Sequence, residues 1–213
     1  FNAHLGRVDV LTHQELRASG LTVTWPTPRE TGYSMYRFIR MLDEYYLKHG
    51  IVHELSSPAA TKQWALDYLG RHGQTVIQLR LNRQNPQRNS DFSQWEQFIR
   101  DRADEKFVIV CAPHECVDFP RLANVTFAAD EVGCDVEKIC SLVCEADYYL
   151  GMSSGPATVR MYSAKPFAVW RDSSRLDRIP ALKRIGDRLK FAWTNDAQFM
   201  FPGMETAKLI SDA

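Results

Sequence analysis

The feature that most narrows what this chain can fold into is an alternation. Between residues 61 and 170, short apolar runs rich in Val, Ile, Phe and Tyr take turns with amphipathic stretches of helical period. TKQWALDYLGRHG (61–73) predicts a helix stopped by Gly73, and TVIQLR (75–80) a strand. Residues 91–103 predict a helix capped by Asp91 or Ser90, KFVIVCA (106–112) a buried strand and NVTFA (124–128) another. A helix over 135–146 behind Asp135, a strand at DYYLG (147–151), a helix at GPATVRMYSA (155–164) and a strand at PFAVW (166–170) complete the series. Strands separated by single helices need crossover connections, so residues 74–170 are expected to form an α/β, doubly wound parallel sheet. Such sheets bind ligands in the crevice outside the carboxyl ends of their strands.

Upstream the pattern changes near ELSSPAATK (54–62), where Ser56, Ser57 and Pro58 interrupt it. LTVTW (21–25) reads as a short strand closed by Pro26 and Pro28. Residues 31–49 read as an amphipathic helix ending at Gly50, with an aromatic stripe through Tyr36, Phe38, Tyr45 and Tyr46 that suits a core. The expected division is therefore 1–60, a shorter amino-terminal α/β part, and 61–213, the main domain. The tail from Arg188 suits a short strand or loop and a closing helix from about Gly203. A chain that opens at Phe1 reads as a piece of a longer one.

Composition excludes several classes. With 45% hydrophobic and 24% charged residues the chain is an ordinary globular protein, and 26 Lys plus Arg against 26 Asp plus Glu supply no bulk charge for a nucleic acid or an acidic membrane. No apolar run approaches the roughly 18 residues of a membrane span. Five cysteines between residues 111 and 144 are an odd number without a Cys-x-x-Cys pair, and read as reduced thiols of a cytoplasmic protein. CAPHEC brings Cys111, His114 and Cys116 together, but no second ligand pair follows to complete a zinc site. No metal and no cofactor is expected.

Two strand ends carry the chemistry. MSSGPATV (152–159) has the composition of a phosphate cradle: Gly155 allows close backbone approach, Ser153 and Ser154 offer hydroxyls, and Pro156 suits a helix first turn. A plain strand-to-helix turn would use the same residues. RLNRQNPQRNSD (80–91) gathers Arg80, Arg83 and Arg88 with Asn82, Asn85 and Asn89, and the guanidinium fork suits phosphate oxygens. A solvated basic loop is the competing reading. Both segments fall on the same sheet edge, where a diphosphate could be held between them. There is no Gly-x-Gly-x-x-Gly, no Gly-x-x-x-x-Gly-Lys-Ser and no Asp-x-Asp, which leaves a metal-free diphosphate site neutralised by arginines.

The run from KFVIVCAPHE through ADYYLGMSSGP to KPFAVW resembles the carboxyl-terminal domain of GT-B fold glycosyltransferases, and is most similar to the heptosyltransferase type. The resemblance implies two Rossmann-like domains, with the donor held mainly by the carboxyl-terminal one. Its diphosphate would lie on Ser153, Ser154, Gly155 and Pro156, with Thr158 one turn on and His114 and Glu115 in a neighbouring loop. QLRLNR is similar to the arginine motif of fucosyltransferases, which implies that Arg80 holds the diphosphate, although Gln78 and Leu81 stand where that motif has His and Arg. Implied is a metal-independent transfer of a sugar from a nucleotide diphosphate sugar to a hydroxyl acceptor, a glycan or lipid-linked glycan. His4, His13 and Glu44 are the candidate bases; Glu205 could reach the cleft but reads rather as a first-turn helix carboxylate placed by the dipole. A sugar-nucleotide epimerase of the same fold and a non-catalytic nucleotide-sugar or phosphate-binding module are the alternatives.

Overall fold

The computed structural model describes residues 43–51, 54–82, 86–171, 183–185, 188–203 and 206–211. The strand expected at 21–25 and residues 31–42 of the expected helix lie outside them, as do His4, His13 and Glu205; residues 43–49 are helical. The ordered series is α1 (Ala59–His72), β1 (Thr75–Gln78), α2 (Phe92–Arg100), β2 (Phe107–Val110), β3 (Val125–Phe127), α3 (Val136–Glu145), β4 (Tyr148–Met152), α4 (Gly155–Met161), β5 (Phe167–Arg171), β6 (Lys183–Ile185), β7 (Arg188–Lys190), β8 (Gln198–Pro202) and α5 (Ala207–Ser211).

All the strands join one eight-stranded sheet in the order β3-β2-β1-β4-β5-β8-β7-β6. The six strands from β3 to β8 are parallel, and β7 and β6 are added antiparallel. The alternating-helix expectation is met, with one exception: β2 reaches β3 through a one-turn 3-10 segment, Pro113–Glu115, and a loop. The tail departs from the expected single strand or loop, since β7 and β8 pair there. Arg188 lies 4.2 Å and Lys190 4.8 Å from the Phe199 ring, so the charged residues that obscured the strand pattern cover aromatic surface through cation–π contacts.

Period-two alternation sorts the strand side chains onto two cores. Val76, Val108, Val110, Tyr149, Phe167 and Val169 face α1, α3 and α4. Ile77, Leu79, Phe107, Ile109, Leu150, Ala168 and Trp170 face α2 and α5. Trp95 of α2 meets Trp170 edge-on at 5.6 Å, and Trp170 stacks on Phe201 at 5.2 Å. The sheet is covered on both faces, as a parallel sheet requires.

Arg160, at the end of α4, is fully buried. Its guanidinium donates to the carbonyls of Val143, Cys144, Asp147 and Pro166, tying the end of α3 to the starts of β4 and β5. Desolvation lowers its pKa to about 10.

Cys111 and Cys116 form a disulfide, which corrects the expectation that all five thiols are reduced. The 3-10 turn between them folds the chain back and brings their Cα atoms to 6.3 Å, within disulfide reach. Cys134, Cys140 and Cys144 are free, and burial pushes each of these thiols up.

Candidate functional site

The sheet order places a topological switch point between β1 and β4: the chain leaves β1 toward β2 on one side, and β4 is added on the other. At such a point the loops diverge and leave a crevice at the strands' carboxyl ends. The loop after β1 carries Arg80 and Arg88; the turn after β4 carries Ser153 to Pro156. The two segments singled out from the sequence therefore face one another across this crevice.

The arginine loop is closed by its own polar groups. The Arg80 N–H donates to Ser90 Oγ at 3.0 Å and the Ser90 N–H returns a bond to the Arg80 carbonyl at 2.8 Å. One step further out, the Asn82 N–H donates to Asn89 Oδ1 at 2.6 Å, so Asn89 ties the two limbs of the loop together. Asp91 accepts from the Ser93 and Gln94 N–H groups and caps α2, which leaves Ser90 for the loop.

Across the crevice, both guanidiniums converge on one atom. Arg88 Nη2 donates to the Ser153 carbonyl at 2.8 Å and Arg80 Nη1 reaches the same oxygen at 3.4 Å. Arg80 Nε is buried without a hydrogen-bond partner among the described residues. A buried charged donor of this kind is one that an added acceptor would satisfy.

The remaining predicted residues divide by what already holds them. Ser154 is buried; its hydroxyl donates to Gln78 Oε1 and accepts from the Ala157 N–H, capping α4. Thr158 Oγ1 donates to the Ser154 carbonyl at 3.0 Å. Pro156 occupies the first turn of α4, and a Cβ added to Gly155 would meet no atom within 4 Å, so the space in front of it is open. His114 is exposed and Glu115 half-buried at the end of β2, one strand away, where Glu115 Oε2 accepts from the Ala112 N–H at 3.2 Å. Glu44 is exposed on the helical segment 43–49. Arg83 and Asn85 lie outside the described residues.

Gln78, which sequence reasoning treated only as a departure from a motif, is the hub beneath the site. Its Oε1 accepts both the Tyr149 and the Ser154 hydroxyls. Gly151 packs on its backbone with φ +155°, where a Cβ would come within 2.7 Å of the Gln78 carbonyl oxygen. The available signal was one amide at the end of an apolar strand, TVIQ, since a buried polar side chain implies partners.

No family model matches this chain, and no curated protein does. Solved structures do. E. coli heptosyltransferase WaaC with ADP-2-deoxy-2-fluoro heptose superposes with TM-score 0.48 and 16% identity over 84% of this chain and 55% of that one. The E. coli ADP-heptose lps heptosyltransferase II gives 0.47 and 7% over 70% and 44%. A glycosyl transferase of family 9 from Veillonella parvula DSM 2008 gives 0.46 and 10% over 71% and 42%. The chain is similar to parts of these glycosyltransferases, each at a TM-score below 0.5. It spans about half their length.

Proposed function

We propose that this chain is a metal-independent glycosyltransferase, or its donor-binding half, in which residues 61–213 hold a nucleotide diphosphate sugar and residues 1–60 belong to the acceptor side. The observation that carries this reading is the convergence of Arg80 and Arg88 on the Ser153 carbonyl at the switch point, with Arg80 Nε buried and without a hydrogen-bond partner among the described residues. Two fixed guanidiniums suit the two charges of a diphosphate, and the open space before Gly155 leaves room for it beside the backbone.

The chemistry asked of these residues is electrostatic. As the bond between the sugar and the diphosphate breaks, negative charge grows on the leaving oxygens, and donors already aimed at them lower the barrier without reorganising. Arg80 and Arg88 take that role, and the shift of their donors from the Ser153 carbonyl to phosphate replaces a neutral acceptor by a charged one. Ser154 and Thr158 hold the turn in shape.

Calorimetric titration with ADP, GDP and UDP tests the site. Arg80→Ala is expected to weaken the best of these ligands by tenfold or more, from the loss of about 1.5–3 kcal/mol per hydrogen bond to a charged group, with the melting temperature nearly unchanged. A large loss of stability with binding intact would refute the role. Product analysis with the nucleotide sugar then separates the classes: release of nucleoside diphosphate only when a hydroxyl acceptor is present identifies transfer, and an altered sugar without acceptor identifies epimerisation.

A further inference from the structure

We propose that the Cys111–Cys116 disulfide is a redox-controlled clasp that holds the arginine loop in its binding position. The turn it closes lies beside that loop in two ways. The Leu79 N–H, one residue before Arg80, donates to the carbonyl of Val110, one residue before Cys111, at 3.2 Å. The Phe119 N–H donates to the Cys116 carbonyl at 3.2 Å, and the Phe119 ring meets Phe92 edge-on at 5.4 Å. Phe92 opens α2 directly behind Asp91 and Ser90, and Ser90 is bonded to Arg80 at both its N–H and its hydroxyl. The path runs from the disulfide to the Arg80 backbone: Cys116 to Phe119, Phe119 to Phe92, along the chain through Asp91 to Ser90, and from Ser90 to the Arg80 N–H and carbonyl.

Within the turn, the Glu115 N–H donates to the Ala112 carbonyl at 2.8 Å. Glu115 Oε2 accepts one backbone N–H, while Pro113, His114, Val117 and Asp118 are exposed. Cys111 and Cys116 are themselves buried in the cluster that contains Phe119, with Phe92 against it. Cutting the bond frees the turn to open and withdraws Phe119 from Phe92, while the paired strands keep their ladders. The other three thiols, raised by burial, are poor nucleophiles toward the pair.

The step balances as thiol–disulfide exchange with an external dithiol. A dithiol thiolate attacks one sulfur, the Cys111–Cys116 bond breaks, and the departing thiolate takes a proton. The second thiol of the reductant then displaces the other cysteine, so the protein gains two electrons and two protons and the reductant leaves as a disulfide.

The functional half of this inference rests on the donor-site reading above; the loop movement does not. Hydrogen exchange on the full chain, as purified under air and after dithiothreitol, reads the movement directly. The clasp predicts loss of protection at residues 86–92 on reduction, with the strand amides of β1 and β4 unchanged, and recovery on reoxidation. Unchanged protection at 86–92, or free thiols at Cys111 and Cys116 by alkylation and mass spectrometry of the air-oxidised protein, overturns it. Titration of inorganic pyrophosphate is expected to show about tenfold weaker binding in the reduced form. The Cys111→Ser/Cys116→Ser variant should match the reduced protein and ignore dithiothreitol, and a variant that still responds overturns the assignment to this pair. Failure of pyrophosphate to bind in either state, with the exchange difference present, refutes the donor site and leaves the clasp standing.

Discussion

Gln78 shows how one buried side chain can shape a site without touching a ligand. Its amide oxygen accepts two hydroxyls that would otherwise be stranded in an apolar interior, one from β4 and one from the turn that follows it. Gln78→Leu keeps the volume and removes the acceptor that the buried Tyr149 and Ser154 O–H groups donate to, while Ser154 Oγ still accepts from the Ala157 N–H. The expected loss is about 2–6 kcal/mol in urea unfolding, from about 1–3 kcal/mol for each of the two donors left unsatisfied. Tyr149→Phe removes one donor only and should cost about 1 kcal/mol. A Gln78→Leu protein as stable as the parent would show that these contacts are not a structural hub. The three arginines were legible as residue types before any coordinates. That Arg80 and Arg88 share one carbonyl was not, because the atom they meet belongs to Ser153, far along the chain.

Among the elements, α2 matters most to the site because it starts where the arginine loop ends. Either Ser90 or Asp91 was an acceptable cap by residue type. The structure divides the work: Asp91 caps α2 and Ser90 closes the loop. Asp91→Ala should lower stability by about 1 kcal/mol and loosen the first turn of α2 in hydrogen exchange. Ser90→Ala should leave the helix intact and instead weaken nucleoside diphosphate binding through Arg80; the reverse pattern would mean the roles are exchanged. Helix ends were readable to within a few residues from Asp91, Asp135 and Gly73, since caps act locally. β6 and β7 were not readable as a strand pair, because KRI and RLK are short and charged; they become strands by pairing with one another, and β7 also lies against Phe199.

At the scale of the whole molecule, one sheet with two separate cores places several ionisable groups deep inside. Burial, with Glu131 adding to it, raises the Tyr68 phenol to about 12, and burial alone does the same for Tyr162. Tyr149 is raised as well, again chiefly by desolvation. A group whose folded pKa lies above its unfolded value contributes stability that is complete below the unfolded pKa and lost as pH climbs through the folded one. Stability should therefore be flat only up to about pH 9, where the ordinary thiol value lies and the buried Cys134, Cys140 and Cys144 begin to act, and should fall further between pH 10 and 12. Arg160 and Lys165, with their pKa values lowered by burial, act in the opposite direction, two cations against three phenols and three thiols. Urea midpoints measured across this range check the slope, and tyrosinate absorbance should lag behind that of the unfolded chain. Stability that rose through this interval would contradict the burial of the phenols.

The local code of this chain determined its class: period-two apolar runs and helical stretches in alternation require a parallel α/β sheet, whatever the order of its strands. It also placed the arginines and the Ser-Ser-Gly-Pro turn at strand ends, because both follow directly from where a run of Val and Ile stops. Strand order, the disulfide and the meeting of Arg80 and Arg88 at Ser153 were decided only in three dimensions. The physical reason is tertiary in each case. A strand's neighbours and a guanidinium's acceptor are chosen by packing between segments distant in sequence, and the Cys111–Cys116 pair, only five residues apart, depends on the backbone turn between them, which residue type does not specify.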